Sequence, residues 1–537
     1  MVTAIMTDVI KNNVFHQLTC KIAQTVIVIL LMCPTYSAAA DWKITPNLNL
    51  LETYTDNVTL AERGNEKSDF ITQINPGISL SGTGARLKVN VSYTMQNLFY
   101  ANESDQNTTF HQLSARENAE LIKNFLFLDS TASISQQNIS LLGPLTTNNE
   151  NLTNNRTNVK TYSISPYIRH NFSNFASTQV RYTHNAVYTD VGGLSASQSD
   201  SILLSLTSGS AFRSLGWGLN YSKQKTGGLG TSLGGLSTSI GGLNTSVESE
   251  QYTGNLRYRI SSKFSLTGTG GYQKYSYASL TGVSSGSFWT AGFIWNPTER
   301  TNIIANAGES FFGKTYTLMT SHYTRRSTWS LSYNQTITNT RDQFLIPATT
   351  DTASFLNQLW TSNIPDPVMR QQTVEAFIRD NGLSASIFDP INFLTNQFFL
   401  QKRLQATVAL SGAKNTLVLS IFHMLREAQT PGDTNSILLG ANSFTLNSDT
   451  KQIGGNALWT WKISPRTNAN IGAMYIRSNI PATGSEDETK TFRAGLTRQI
   501  RPKLNGAVNF RHVERTSNQI GSEYRENAII ASLSMRF

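Results

Sequence analysis

The chain has 537 residues, 39% of them apolar and only 15% charged, with 44 Lys and Arg against 34 Asp and Glu for a formal net charge of +10. That apolar fraction is low for a globular protein of this length. Beyond residue 40 there is no apolar run of about 18 residues, which excludes a helical membrane protein and leaves a soluble multidomain protein or a closed β-barrel.

Residues 22–33 (IAQTVIVILLMC) form a short apolar core behind Lys21, followed by Ser37, Ala38, Ala39 and Ala40. A basic flank, a short apolar core and a small-x-small site predict a secretory signal peptide over residues 1–40, cleaved after Ala40 with Ala38 as the other small position. A lipoprotein reading would modify Cys33, but Met32 is too bulky for that site. Both cysteines, Cys20 and Cys33, fall within this segment. The exported chain is therefore expected to lack disulfides and thiolate metal sites. Its positive charge then points to anionic lipid headgroups or an anionic solute and not to nucleic acid.

From residue 41 onward, apolar and polar residues alternate in period two. Leu87, Val89, Val91, Tyr93 and Met95 face one way, with Arg86, Lys88, Asn90, Ser92 and Thr94 opposite. The same pattern recurs in Val180 and Tyr182 against Gln179, Arg181 and Thr183, and in Tyr252, Leu256 and Tyr258 against Thr253, Asn255, Arg257 and Arg259. Such alternation is that of half-buried strands. The runs reach about 10–14 residues, longer than a soluble strand and long enough to cross a bilayer at a tilt. Glu52 and Glu117 depart from the pattern by falling on the apolar parity. There a carboxylate at mid-bilayer would cost about 2 kcal/mol, so either a bulge or an interfacial position is expected.

Tight turns (Gly82-Thr83-Gly84, Lys123-Asn124, Phe172-Ser173-Asn174, Arg213-Ser214, Ser261-Ser262-Lys263, Asn296-Pro297-Thr298-Glu299, Thr324-Arg325-Arg326, Gly412-Ala413-Lys414-Asn415, Ser464-Pro465-Arg466, Arg501-Pro502-Lys503) interleave with longer polar connections without a parity error. Ten turns and eleven connections predict about 22 antiparallel strands in an all-β, up-and-down transmembrane barrel with both ends periplasmic. The weakest joint is the outer connection at Gly313; losing that hairpin would leave about 20 strands. Within the loop 226–250, residues 227–247 repeat three heptads of Gly-Gly-Leu-x-Thr-Ser-aliphatic, read as duplication in a tolerant surface loop or as a short β-solenoid turn or adhesive element. The longest connection, 340–397, carries a helical pattern from Asp366-Pro367 to Asn381-Gly382 and is read equally as a cover over the mouth or plug in the lumen, the only candidate plug in the chain, or as simple surface packing.

The chain ends on an alternating strand. Ile529, Ala531, Leu533, Met535 and Phe537 share one face, while Ser532, Ser534 and Arg536 share the other. A strand ending on an aromatic fits closure of a barrel. Leu533, Met535 and Phe537 also resemble the C-terminal signal read by the barrel-assembly machinery. The outer membrane of a Gram-negative cell, with lipid and lipopolysaccharide as its surroundings, is the expected location.

Several short motifs carry a family resemblance: Glu52-Thr53-Tyr54-Thr55-Asp56-Asn57-Val58, Asn75-Pro76-Gly77-Ile78, Ser165-Pro166-Tyr167, Trp295-Asn296-Pro297 with Arg300-Thr301, Phe312-Gly313, His322 with Arg325-Arg326, Trp329, and Asn392-Phe393-Leu394-Thr395-Asn396. With these the chain resembles, over nearly all of residues 41–537, outer-membrane barrels associated with PEP-CTERM/exosortase systems. The resemblance implies a setting of exopolysaccharide production and surface-protein sorting. It implies no activity and no catalytic residues.

No His-x-x-x-His pair, Gly-x-Ser-x-Gly elbow or phosphate loop is present, so no enzyme activity, metal site or cofactor is expected. What the sequence offers is a cationic inner face: Arg86, Lys88, Arg116, Arg181, Arg257, Arg259 and Arg493 all lie opposite apolar positions. In a wide barrel they would line water and favour anions or acidic sugars, unless lumen carboxylates neutralise them. The expected function is a channel or export conduit for a large polar solute such as exopolysaccharide, with export-system components as partners. The alternatives are a surface-structural or adhesive barrel and, third, an outer-membrane hydrolase.

Overall fold

The computed structural model describes residues 41–537 apart from 142, 147, 191–195, 228–245, 278, 281, 346–396 and 431–448. The signal segment with Ala38 and Ala40, most of the heptad repeats and the helical pattern at 366–382 lie outside the described residues.

Alternation over long runs produces a single meander. It opens with β1 (Asp41–Thr55), β2 (Asp69–Thr83), β3 (Leu87–Tyr100), β4 (Thr108–Ile122), β5 (Leu126–Asn138), β6 (Arg156–Phe172) and β7 (Ala176–Thr189). Every strand is antiparallel to its neighbours in sequence, the arrangement that short turns permit. The ring continues through β8 (Ala196–Ser208), β9 (Leu215–Gly227), β10 (Val247–Arg259), β11 (Phe264–Tyr275), β12 (Ser285–Thr298), β13 (Thr301–Ser310), β14 (Gly313–Tyr323) and β15 (Ser327–Asn339). A short helix, α1 (Thr340–Leu345), comes directly after β15. The last part is β16 (Phe398–Ser411), β17 (Asn415–Ala428), β18 (Thr450–Ser464), β19 (Thr467–Ile480), β20 (Ser485–Arg501), β21 (Leu504–Ser517) and β22 (Tyr524–Arg536).

β22 pairs back onto β1 from Asn47–Arg536 to Thr55–Ala528, closing a 22-stranded barrel. Closure gives every strand a partner on each side, as a bilayer interior demands, though not along the full length of every seam. Phe537 adds one further bond, its amide donating to the Pro46 carbonyl at 3.0 Å. The expected strand count holds, and the doubtful hairpin is real: Ser310 pairs with Gly313 around Phe311-Phe312. Gly313 takes φ +106°, a conformation closed to most side chains, and this lets a two-residue turn join the strands.

The two faces of the wall match the alternation in the sequence. Leu256, Ile421, Val508, Ile529, Leu533 and Phe537 stand on the outer surface with their side chains exposed. These residues form an apolar belt, stable only against lipid. Pairing runs unbroken through Glu52 and Glu117, so no bulge turns them inward. Glu52 lies near the long-connection end of β1, and the Thr72 hydroxyl donates to it at 2.8 Å. Glu117 stands opposite Ser130. The interfacial explanation therefore fits Glu52.

Candidate functional site: a latched lumen with a cationic floor

The connection between β5 and β6, residues 139–155, reads as an ordinary surface loop in the sequence. It folds against the inner wall instead. Asn155 closes its neck: its side-chain oxygen accepts from the Ser140 amide at 2.8 Å, and its Nδ2 donates to the carbonyls of Ser140 and Pro144 at 2.9 and 3.1 Å. From that neck the loop reaches the β1–β2 connection and the ends of β3 and β22. Leu152 N donates to the Val58 carbonyl at 2.8 Å, Tyr100 Oη to the Glu150 carbonyl at 2.9 Å, and Tyr524 Oη to the Leu145 carbonyl at 2.7 Å. Leu152 and Phe110 pack on a buried cluster of Val58, Ile71, Leu98 and Tyr100.

At the centre of this contact lies a charge network. Arg511 of β21 grips Glu526 of β22 with two nitrogens, at 2.9 and 3.3 Å, and holds Glu150 of the loop at 3.0 Å. Gln73 Nε2 donates to Glu150 at 3.0 Å and Asn151 Nδ2 to Glu526 at 2.7 Å. The Thr55 hydroxyl also donates to Glu526, at 2.9 Å. Nearby, Arg515 pairs with Asp487 at 3.1 Å and donates to the Leu141 carbonyl at 3.0 Å. Buried charges are tolerable only when paired and hydrogen-bonded in this way. The network fastens the loop to the wall.

α1 makes a second crossing. Arg341 donates from Nε to the Ser197 hydroxyl on β8 at 2.7 Å and from Nη2 to the Asn185 carbonyl on β7 at 3.2 Å. On its other side, Gln343 bonds Gln401 of β16 at 2.8 Å and accepts from Arg426 of β17 at 3.0 Å. Phe344 and Leu345 of the helix and Ile139 of the latch pack on the same buried pair, Val159 and Val187. Burial lowers the pKa of the Arg341 guanidinium and raises that of the Asp342 carboxyl, with the Arg341–Asp342 contact at 3.1 Å opposing each shift. The sequence names 340–397 as the sole candidate plug. The structure adds a second candidate, the described part of residues 139–155, and shows a short helix at 340–345, while the rest of 340–397 up to residue 396 lies outside the described residues.

The expected cations divide into two groups. Arg181 is neutralised, with Asp129 at 2.8 Å, and its guanidinium lies 3.9 Å over the Tyr167 ring. Arg493 pairs in register with Arg511 at the edge of the latch network. Arg86 sits in the turn before β3. Lys88, Arg116, Arg257 and Arg259, by contrast, are exposed on the inward parity and have no ion-pair partner among the described residues. Arg169, overlooked in the sequence, joins them at 4.7 Å over the Phe127 ring. From β6 to β15, no Asp or Glu among the described strand residues takes an inward position. Asp200, Glu248, Glu250 and Glu309 all share a face with exposed lipid-side residues such as Ile202, Tyr252 and Trp289. Hydroxyl and amide side chains such as Ser199, Asn220, Gln251 and Thr267 share that inner wall with apolar ones such as Leu203, Phe288 and Ile304.

Among the described residues no group of three His, Cys, Asp or Glu is placed to hold a metal ion. His111, His184, His322 and His512 have neighbouring side chains as hydrogen-bond partners, as His512 has Asn527 at 2.7 Å.

No protein-family model matches the chain, and no curated relative does. Solved structures similar to it include the siderophore receptor PirA from Acinetobacter baumannii (8% identity, 92% of this chain and 80% of that one, TM-score 0.47). PiuA from the same organism is 11% identical over 92% and 82% of the two chains, with a TM-score of 0.47. The closed form of the ferric-catecholate import receptor Fiu from E. coli K12 gives the same figures. Identities of this order leave the reading of this chain to its own residues.

Proposed function

We propose that the protein is an outer-membrane conduit for a large polar solute carrying negative charge, an acidic exopolysaccharide being the best fit. The observation that carries this reading is the inner wall from β6 to β15, which has free arginines and no inward carboxylate among its described residues. A water-filled passage of this kind attracts anions, and its hydroxyl and amide groups match the hydrogen bonding of sugars. With the tight-turn end taken as periplasmic, Lys88, Arg169, Arg257 and Arg259 lie near the periplasmic mouth, where an exported polymer would enter. The resemblance to barrels of PEP-CTERM/exosortase systems supports the same setting.

The test is conductance in planar bilayers. A soluble acidic polysaccharide such as polygalacturonate, added on the tight-turn side, is expected to block the current at concentrations where neutral dextran does not. Equal block by both polymers, or none, overturns the anionic reading. The buried latch favours a second reading, a closed barrel whose surface loops act in attachment. That reading predicts silent bilayers even after the latch is released.

A further inference from the structure

The wall is not zipped evenly. β13 and β14 pair through ten residue pairs and β15 and β16 through thirteen, but β14 and β15 pair through only six, from Leu318–Tyr333 to Tyr323–Thr328. Gly313–Thr317 and Asn334–Thr338 are strand residues, each segment bonded to its other neighbour and neither registered with the other. The seam is thus closed toward the tight turns and open toward the long connections. Five strand residues span about 16 Å, more than half the height of an apolar band.

The two strands part because they lead into different segments. β14 turns straight back into β13 through Phe311-Phe312. β15 runs on into α1, which Arg341 anchors to Ser197 and Asn185 across the lumen, and Thr338 and Asn339 are buried on the way. Its upper half stays paired with β16, while the upper half of β14 stays paired with β13. Described residues of the connection between β11 and β12 span the short β13–β14 hairpin to meet β16 and the end of β17. Tyr277 stacks on Phe398 of β16 at 5.1 Å, and Leu280 N donates to the Gln429 carbonyl at 3.0 Å. The frame is amphiphilic. Tyr316, Leu280 and Val283 are exposed apolar residues, whereas Thr315, Thr317 and Thr336 lie on the inward parity.

We infer that this gap is a lateral port that holds or passes an amphiphile, its polar head among the lumen hydroxyls and its hydrocarbon chain in the surrounding leaflet. Unzipped strand edges at membrane depth persist only where they border a cavity or an occupant. Among the described residues the gap lies between lumen-facing hydroxyls and the lipid-facing belt. The inference does not depend on what the lumen conducts.

The experiment places p-benzoylphenylalanine at Thr315, beside the gap on the inward face, and separately at Ser222 of β9, inward but remote from it. Each protein is irradiated in vesicles of phosphatidylethanolamine and phosphatidylglycerol, after heat-modifiable migration has confirmed a folded barrel. Lipid adducts are expected at Thr315 severalfold above Ser222. They should fall to the Ser222 level when Thr317→Cys and Asn334→Cys are joined by a short bifunctional thiol reagent. Equal adducts at the two sites, or adducts indifferent to the bridge, overturn the port.

Discussion

Glu150 and Arg511 are 361 positions apart in the chain, yet their charged atoms lie 3.0 Å apart with both side chains nearly buried. One belongs to a loop and the other to the wall of the barrel, so the pair measures whether the loop is docked. Removing one partner of a buried pair costs about 3–5 kcal/mol, because the other charge is left without compensation. The strand ladders do not depend on it, so the loss should fall on docking and not on the barrel. Glu150→Ala is expected to fold normally by heat-modifiable migration and to raise single-channel conductance, and Glu526→Gln to act in the same direction. Unchanged conductance in both variants would show that the latch does not limit the pore.

The free arginines should set ion selectivity. Arg257 is exposed on the inward parity and has no carboxylate to offset it among the described residues. Arg257→Glu is therefore expected to shift the reversal potential in a salt gradient toward cations. Paired charges should behave differently. Neutralising both members of the Arg181–Asp129 bridge (2.8 Å) removes no net charge, and selectivity should stay nearly constant. If the double variant shifts the potential as far as Arg257→Glu does, pairing is not what separates these cations.

Docking of α1 should depend on pH through Asp342. Burial raises its carboxyl pKa in the docked state, against the pull of Arg341. A group that binds its proton more tightly when docked favours docking fully below the ordinary carboxylate range. That contribution is lost as pH rises through the elevated value. Closed-state occupancy in bilayers is expected to fall as pH is raised across this window. Asp342→Asn should flatten that response, and an undiminished pH dependence in the variant would assign the effect to another group.

The barrel was legible in the sequence because lipid and water impose a period of two on every strand, and because turn residues punctuate it. The latch was not legible in the same way. Asn148, Asn149, Glu150 and Asn151 read as any polar loop would, and their partners are distant in sequence. One signal was present. On β3 the apolar residues Val89 to Met95 take odd positions, but Leu98 and Tyr100 take even ones, inward and buried. Apolar residues pointing into a lumen mean that something packs there. The free and paired arginines looked alike because Asp129 and Arg181 sit 52 positions apart and meet only once β5 to β7 are in register. Nor does the sequence show where pairing between β14 and β15 stops, since both strands keep their alternation past the last pair.

Gly313 offers a test of the hairpin that fixes the strand count. Its φ of +106° is strained for any L-residue, and a Cβ added there meets no atom within 4 Å. Any effect of Gly313→Ala is therefore conformational and owes nothing to a clash, with an expected cost of about 1–2 kcal/mol. Gly412, in the turn between β16 and β17, has no such backbone constraint, and its nearest neighbour would lie at an ordinary 3.5 Å. Gly412→Ala should change stability little. Urea unfolding in lipid vesicles, monitored by tryptophan fluorescence, separates the two. A Gly313 variant as stable as the Gly412 variant would mean that the Phe311-Phe312 turn relaxes to another geometry, and the two-residue hairpin would then need revision.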